Sequence, residues 1–399
     1  MHMADTLISP VVGGVMWAAT AGVAAYSMKK MKDEFDDRKV PLMGVMGAFI
    51  FAAQMINFSI PGTGSSGHLG GGMILAILLG PFAGFLTIAS VLVVQALFFA
   101  DGGLLALGAN IFNLGFFPCF VAFPLIFRNI AGRGLMGGGP GAVQQGAGAH
   151  GSPGRGVKAL VPASILASIV GLQLGAFGVV VETISSGISN LPFSKFLLLM
   201  QPIHLAIGVV EGFVTAGIVS YVYRAKPDIL EGSIVRGGPA ASALSGDRPR
   251  PAARPAMRKV LLVLGALAVV TGGVFSWFAS THPDGLEWSV FRVTGSEEVA
   301  RPGSGIHAFA SRLQERMSVL PDYGFKKVEP KTTGEKAAEP VTRWPAVDAG
   351  SSVSGLVGGA FTLCLAGIAG FFLLKKRGFA KGRSRRAEGR AGKTPRWES

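Results

Sequence analysis

Two histidines stand where they could ligate a transition metal. His2 is the second residue, and an N-terminal X-His sequence offers three nitrogens: the terminal amine of Met1, the amide of His2 and its imidazole. These close two small chelate rings in one plane, and planar nitrogen ligation suits Ni(II) or Cu(II). Met1 is expected to be retained, because removal of an initiator methionine usually needs a small second residue. A fourth nitrogen would complete the square, and His68 is the candidate. It follows Pro61-Gly62-Thr63-Gly64-Ser65-Ser66-Gly67 and precedes Leu69-Gly70-Gly71-Gly72. Glycines allow the tight turns and close backbone approach of a loop folding over an ion. Ligation would displace protons, so affinity should fall in acid. From spacing alone the plainer alternative stays open, in which His2 is an accident of the translation start and His68 an interfacial histidine.

The elements that must position these residues are apolar. Of 399 residues 49% are hydrophobic, the mean hydropathy is +0.47, and 15% are charged, against about 25% in ordinary soluble proteins. Apolar runs lie at 8–28, 40–58, 69–80, 82–100, 103–127, 158–184, 198–223, 257–279 and 353–374. About 20 helical residues cross the ~30 Å hydrocarbon layer. All but 69–80 are long enough; that run is short and precedes Pro81, which predicts a tilted or half-buried helix. Cys119 and Cys364 lie inside apolar runs, which excludes a disulfide framework and a cysteine zinc site. The first residues lack the basic stretch and cleavage site of a signal peptide, so the N-terminus is expected to survive.

The net charge of +14 is a topology signal rather than a nucleic-acid footprint. Lysines and arginines crowd the 29–39 loop, the 128–158 loop, the 224–259 segment and the tail after Leu374, all on one side if nine spans are counted. The positive-inside rule makes that side cytoplasmic. The N-terminus and the 59–68 loop then lie outside, and the C-terminus inside. The reading is an all-α membrane protein, a polytopic helical bundle. Residues 1–224 form a seven-helix core. Residues 225–256 form a Pro-, Ala-, Gly- and Arg-rich cytoplasmic linker. Residues 257–399 form a two-helix module with an extracytoplasmic loop at 280–352 and a basic cytoplasmic tail.

Polar residues at membrane depth include Asn57, Gln95, Asn110, Asn113, His204 and Glu211. Such groups are costly there and usually face the bundle interior. Asn110 and Asn113 share one helical face and are candidates for orienting His68; interhelical hydrogen bonding is the alternative. His204 and Glu211 are weaker candidates for direct ligation. Gly44, Ala48 and Ala52 form a small-residue stripe on the second helix, which allows close helix packing.

The stretches Gly67-His68-Leu69-Gly70-Gly71-Gly72, Ile77-Leu78-Leu79-Gly80-Pro81, Val94-Gln95-Ala96-Leu97 and Asp101-Gly102-Gly103-Leu104-Leu105-Ala106-Leu107-Gly108-Ala109-Asn110-Ile111-Phe112-Asn113 strongly resemble the CbiM/NikM family. Gln201-Pro202-Ile203-His204-Leu205-Ala206-Ile207-Gly208 and Val210-Glu211-Gly212 match it too. The resemblance covers residues 1–224. Members are substrate-binding membrane subunits of cobalt and nickel energy-coupling-factor transporters. The resemblance implies a metal held by Met1, His2 and His68. It also implies that the small-residue face of Gly44, Ala48 and Ala52 contacts a coupling membrane subunit, with packing inside the chain as the alternative. Members often continue Met-His with Ile-Pro-Asp-Gly, where this chain has Met3-Ala4-Asp5-Thr6.

Pro283-Asp284-Gly285-Leu286-Glu287 with Trp288 resembles the PDGLE signature of the small two-span companion subunit, here fused behind the core. The resemblance implies that this module assists metal loading. For Asp284 the turn-forming reading is favoured over ligation by His282, Asp284 or Glu287.

The chain has no G-x-x-x-x-G-K-[ST] phosphate loop. It cannot hydrolyse ATP itself, and the resemblance implies a transporter subunit and not an enzyme, with ATP hydrolysis on separate cytoplasmic ATPase subunits and no resident cofactor. The expected location is a bacterial cell membrane, and the cargo Ni2+ or Co2+, for uptake that could serve cobalamin synthesis or nickel enzymes. The alternatives are an intramembrane metalloenzyme, for which no H-E-x-x-H is present, and a stand-alone secondary transporter, for which no inverted repeat is visible.

Overall fold

The computed structural model describes residues 2–34, 39–135, 153–189, 191–235, 254–296, 305–326 and 344–391. Met1 lies outside the described residues, as do parts of the basic segments used for orientation. The apolar runs become helices: α1 Pro10–Glu34, α2 Lys39–Gln54, α3 Gly72–Leu79 and α4 Pro81–Phe98. Then α5 Leu107–Ile111 runs through a wider π-wound segment Phe112–Phe127 into α6 Arg128–Leu135. Pro118 and Pro124 within that segment have no N–H to give to a tighter ladder. α7 Pro153–Ser186, α8 Phe193–Ala225 and the short α9 Pro227–Val235 follow. The C-terminal part contributes α10 Arg254–Gly273, α11 Gly285–Thr294, α12 Gly305–Met317 and α13 Ala349–Ala391.

Among the described residues, six helices are long and apolar enough to cross a membrane: Pro10–Met31, Pro81–Phe98, Leu107–Gly134, Val157–Ser186, Phe193–Ala225 and Ala349–Phe372. The chain is a helical multi-pass membrane protein. The run at 69–80 yields only the eight residues of α3, about 12 Å of helix, because the chain stays unwound from His68 to Gly71. Every residue of α3 is buried. It doubles back onto α4 at Gly84, where a Cβ would stand 2.8 Å from the Ala76 backbone nitrogen.

One element departs from the all-α reading. Phe58–Ile60 and Ser65–Gly67 pair antiparallel in a small hairpin just before His68. Two further helices, α11 and α12, occupy the loop between α10 and α13. The stripe on α2 is also filled from within. Gly44 would place a Cβ 3.1 Å from the Leu363 carbonyl oxygen, and Ala48 lies against Gly359. Ala52 is buried as well. Small side chains let the α13 backbone approach α2 closely, so Gly44 and Ala48 are covered by α13 and Ala52 is buried, which makes this stripe packing inside the chain rather than a face open to a coupling subunit.

Candidate metal-capture site

At one end of the bundle the N-terminal segment, the 61–71 loop and the C-terminal module converge. Asn110 secures the first of these. Its Oδ1 accepts from the Met3 amide at 2.8 Å and its Nδ2 donates to the Met3 carbonyl at 3.2 Å. The Gly103 amide donates to the same carbonyl, and Asp5 Oδ1 accepts from the Ala106 amide. Met3 is fully buried. His2 therefore leaves a fixed backbone. Its ring stacks on that of His68, with centroids 4.8 Å apart and planes 16° from parallel.

His68 is held from the other side. Gly67 packs so tightly on Ile207 that a Cβ there would overlap it, at 2.3 Å. Beyond His68, both oxygens of Glu211 accept backbone amides, from Gly70 at 2.7 Å and from Gly71 at 3.2 Å. Gln54 Nε2 donates to the Gly70 carbonyl at 2.8 Å. Gly71 takes φ +77° and opens α3, a backbone state that favours glycine. One residue from α8 and one from α2 thus clamp the unwound stretch behind the histidine. The His68 Nδ1 meets the carbonyl of Leu69 at 3.0 Å, which puts the ring's lone pair on Nε2. Burial lowers its pKa to about 3, so the imidazole is neutral at physiological pH.

His2 Nδ1 lies 3.0 Å from Asp101 Oδ1, and Tyr323 donates to the other oxygen of Asp101. Burial works to raise the Asp101 carboxyl, but these two donors overcome it and hold it below the usual carboxylate range. Tyr323 reaches in from the C-terminal module, its ring stacked on Phe99. Among the described residues, the non-glycine positions with positive φ are Ala100, Asp322 and Tyr323, all at this contact. Strain of this kind costs about 1–3 kcal/mol per residue and gathers at functional sites. Replacing Tyr323 by phenylalanine removes one hydrogen bond, worth roughly 1 kcal/mol. Backbone amides of 305–326 should then exchange with deuterium about fivefold faster; unchanged exchange would mean that the contact does not hold this segment.

The PDGLE segment forms one wall. The Ser66 amide donates to the Pro283 carbonyl at 2.8 Å, Ser66 Oγ to the His282 carbonyl at 2.7 Å, and the Ser280 amide to the Asn57 carbonyl at 2.7 Å. Asp284 caps α11, accepting from the amides of Leu286 and Glu287, while Glu287 accepts from the Asp284 amide. This agrees with the turn-forming reading of Asp284. Between these walls lies a cavity of about 800 Å³ lined by His2, His68, Asp101, Asp284, Glu287 and His307, among others.

Among the described residues, no three His, Cys, Asp or Glu side chains gather tightly enough to hold an ion by themselves. A site there needs backbone nitrogens besides the two imidazoles. The structure brings His2 and His68 together and joins Asn110 to Met3 rather than to His68. Asn113 is elsewhere, donating to Glu182 Oε2 at 2.7 Å; its reading as a partner of His68 is corrected, since the buried carboxylate of α7 takes its amide. His204 is buried under Gly285. The clamp by Gln54 and Glu211 and the contact of Tyr323 with Asp101 were not foreseen. Glu211 carried a signal, a carboxylate at membrane depth, but nothing local tied it to a loop 140 residues away.

Residues 2–229 match the CbiM family, described as the cobalt uptake substrate-specific transmembrane region, and residues 258–375 match the PDGLE domain. The fused nickel transport protein NikMN of Rhodobacter capsulatus is 30% identical over 341 residues, covering 81% of this chain and 88% of that protein. The cobalt transport protein CbiM of Geobacter sulfurreducens is 29% identical over 251 residues, 60% of this chain and 65% of the relative. A solved transition metal transporter is 28% identical, covers 60% of this chain and all of that one, and superposes with a TM-score of 0.46. With more than half its length matched by the family and a PDGLE domain behind it, the chain belongs to the CbiM family, fused to a C-terminal PDGLE module.

Proposed function

We propose that the chain captures Ni2+ or Co2+ as the substrate-specific component of an ATP-driven energy-coupling-factor transporter. The observation that carries the reading is the meeting of His2 and His68 at a cavity walled by the PDGLE segment. The ion would be held by the Met1 amine, the His2 amide, His2 Nδ1 and His68 Nε2. Nδ1 is the imidazole nitrogen that can close a small ring with its own amide, and in the structure it lies 3.0 Å from Asp101 Oδ1. Capture at Nδ1 would exchange Asp101 for the ion. The displaced carboxylate stays beside the site and offsets positive charge. Four nitrogens in a plane favour Ni2+, and the fused Rhodobacter relative is named for nickel while the Geobacter relative is named for cobalt.

The one-sided crowding of lysine and arginine in the sequence supports an extracytoplasmic position for the cavity. Without a phosphate loop of its own, the chain would rely on a coupling membrane subunit and cytoplasmic ATPases. Uptake of radiolabelled nickel by cells carrying the chain together with such subunits tests this. Uptake should stop when the ATPase phosphate-loop lysine is replaced. Uptake that continues would favour a stand-alone transporter.

A further inference from the structure

We propose that α12 is an interfacial helix, whose outward face lies in the headgroup region of the bilayer at the cavity end of the bundle. Its inward side is tied to the ends of two spans. His307 Nε2 meets the Ile8 carbonyl at 3.0 Å, two residues before α1 begins. Gln314 Nε2 donates to the carbonyls of Ala96 and Gly102, in the last turn of α4 and just after it. The amides of Val319 and Leu320 donate to the Phe98 carbonyl, and that of Asp322 to the Phe99 carbonyl. The helix thus lies across the points where α1 and α4 leave the apolar layer.

Among the described residues, its other side is apolar and unpartnered. Ile306, Phe309 and Leu313 follow one another at helical spacing, and Phe309 is 61% exposed. Spacing of three and four residues puts them on one stripe. A row of this kind is costly in water, and its depth next to two spans makes lipid the occupant. Arg312 and Arg316, both exposed, follow on the flank of the stripe. Long cationic side chains there reach the phosphates of anionic lipids while their stems stay in apolar surroundings. On α1, Val11 and Val15 are exposed as well, three and seven residues beyond the Ile8 contact. Such helices sink ~5–10 Å into the boundary between headgroups and acyl chains. The segment carrying Tyr323 is then fixed by the bilayer as well as by the core, so the wall of the cavity depends on the membrane.

The test places a nitroxide at residue 309 of the full chain, as F309C in a C364S background, with L313C as a second site. Cys119 is buried and Cys364 exposed. The labelled chain is reconstituted in vesicles of phosphatidylethanolamine and phosphatidylglycerol, and its collisions with oxygen and with chromium oxalate are compared with those of E315C, whose side chain is exposed toward the cavity side. The proposal expects an oxygen-to-chromium ratio several-fold higher at 309 and 313 than at 315. Ratios as low as that at 315 would put the row in water and overturn it. Labels immobilised and shielded from both reagents would instead mark a protein partner or a second copy, and would overturn it equally.

Discussion

Replacing His68 by alanine should lower Ni2+ affinity roughly 100- to 1,000-fold in titration calorimetry on the purified chain. A four-ligand structural metal site is worth about 10–16 kcal/mol. One ligand's share is about 2.5–4 kcal/mol, and about 1.4 kcal/mol makes a factor of ten. The substitution also removes the ring stacked on His2, so the metal-free melting temperature is measured beside the affinity. A loss of affinity far beyond what the melting shift explains is the expected result. Affinity within a few-fold of the parent would remove His68 from the site and turn attention to His204 and the PDGLE wall.

The second large effect is expected at Glu211, which does not reach the cavity. It accepts the amides of Gly70 and Gly71 and so sets the path of the chain leaving His68. Groups that orient a ligand typically change metal affinity about 10- to 100-fold when removed, and Glu211→Ala should fall in that range. Glu211→Gln keeps one acceptor oxygen and should lie between. Gln54→Ala, which frees the Gly70 carbonyl, should move affinity the same way. If Glu211→Ala lowers the melting temperature but leaves Ni2+ affinity untouched, the clamp is only structural.

The helical membrane architecture was legible because long apolar runs leave few other solutions, and Pro81 marked the weak span correctly. The length of α3 was not legible. It depends on where the chain unwinds, and that is set by Glu211 and Gln54 from distant helices. The pairing of His2 with His68 could be guessed because glycines flank one and the other is near the start. Asn113 shows the limit of a shared helical face: three residues from Asn110, it turns to Glu182, because the wound-out π segment and α7 decide its neighbours. Gly44 and Ala48 show another limit. A small-residue stripe announces close packing but not against what, and α13 lies more than 300 residues away. The hydrogen bond of Tyr323 to Asp101 had no local signal, since it joins two loops 222 residues apart.

The central claim is that the ion is held by the chain's own first two residues together with His68. The most direct measurement is Ni2+ and Co2+ affinity after two glutamines are inserted between Met1 and His2, a second residue bulky enough to keep Met1 in place. Two are used because a single insertion would create an X-X-His sequence, itself a four-nitrogen chelate. The insertion leaves His2, Met3 and every helix in place and moves only the amine. The account predicts one-to-one binding in the parent and a fall of about 100-fold or more in the variant, the share of one nitrogen in such a site, with melting of the metal-free chain unchanged. Equal affinity in the two chains would contradict it.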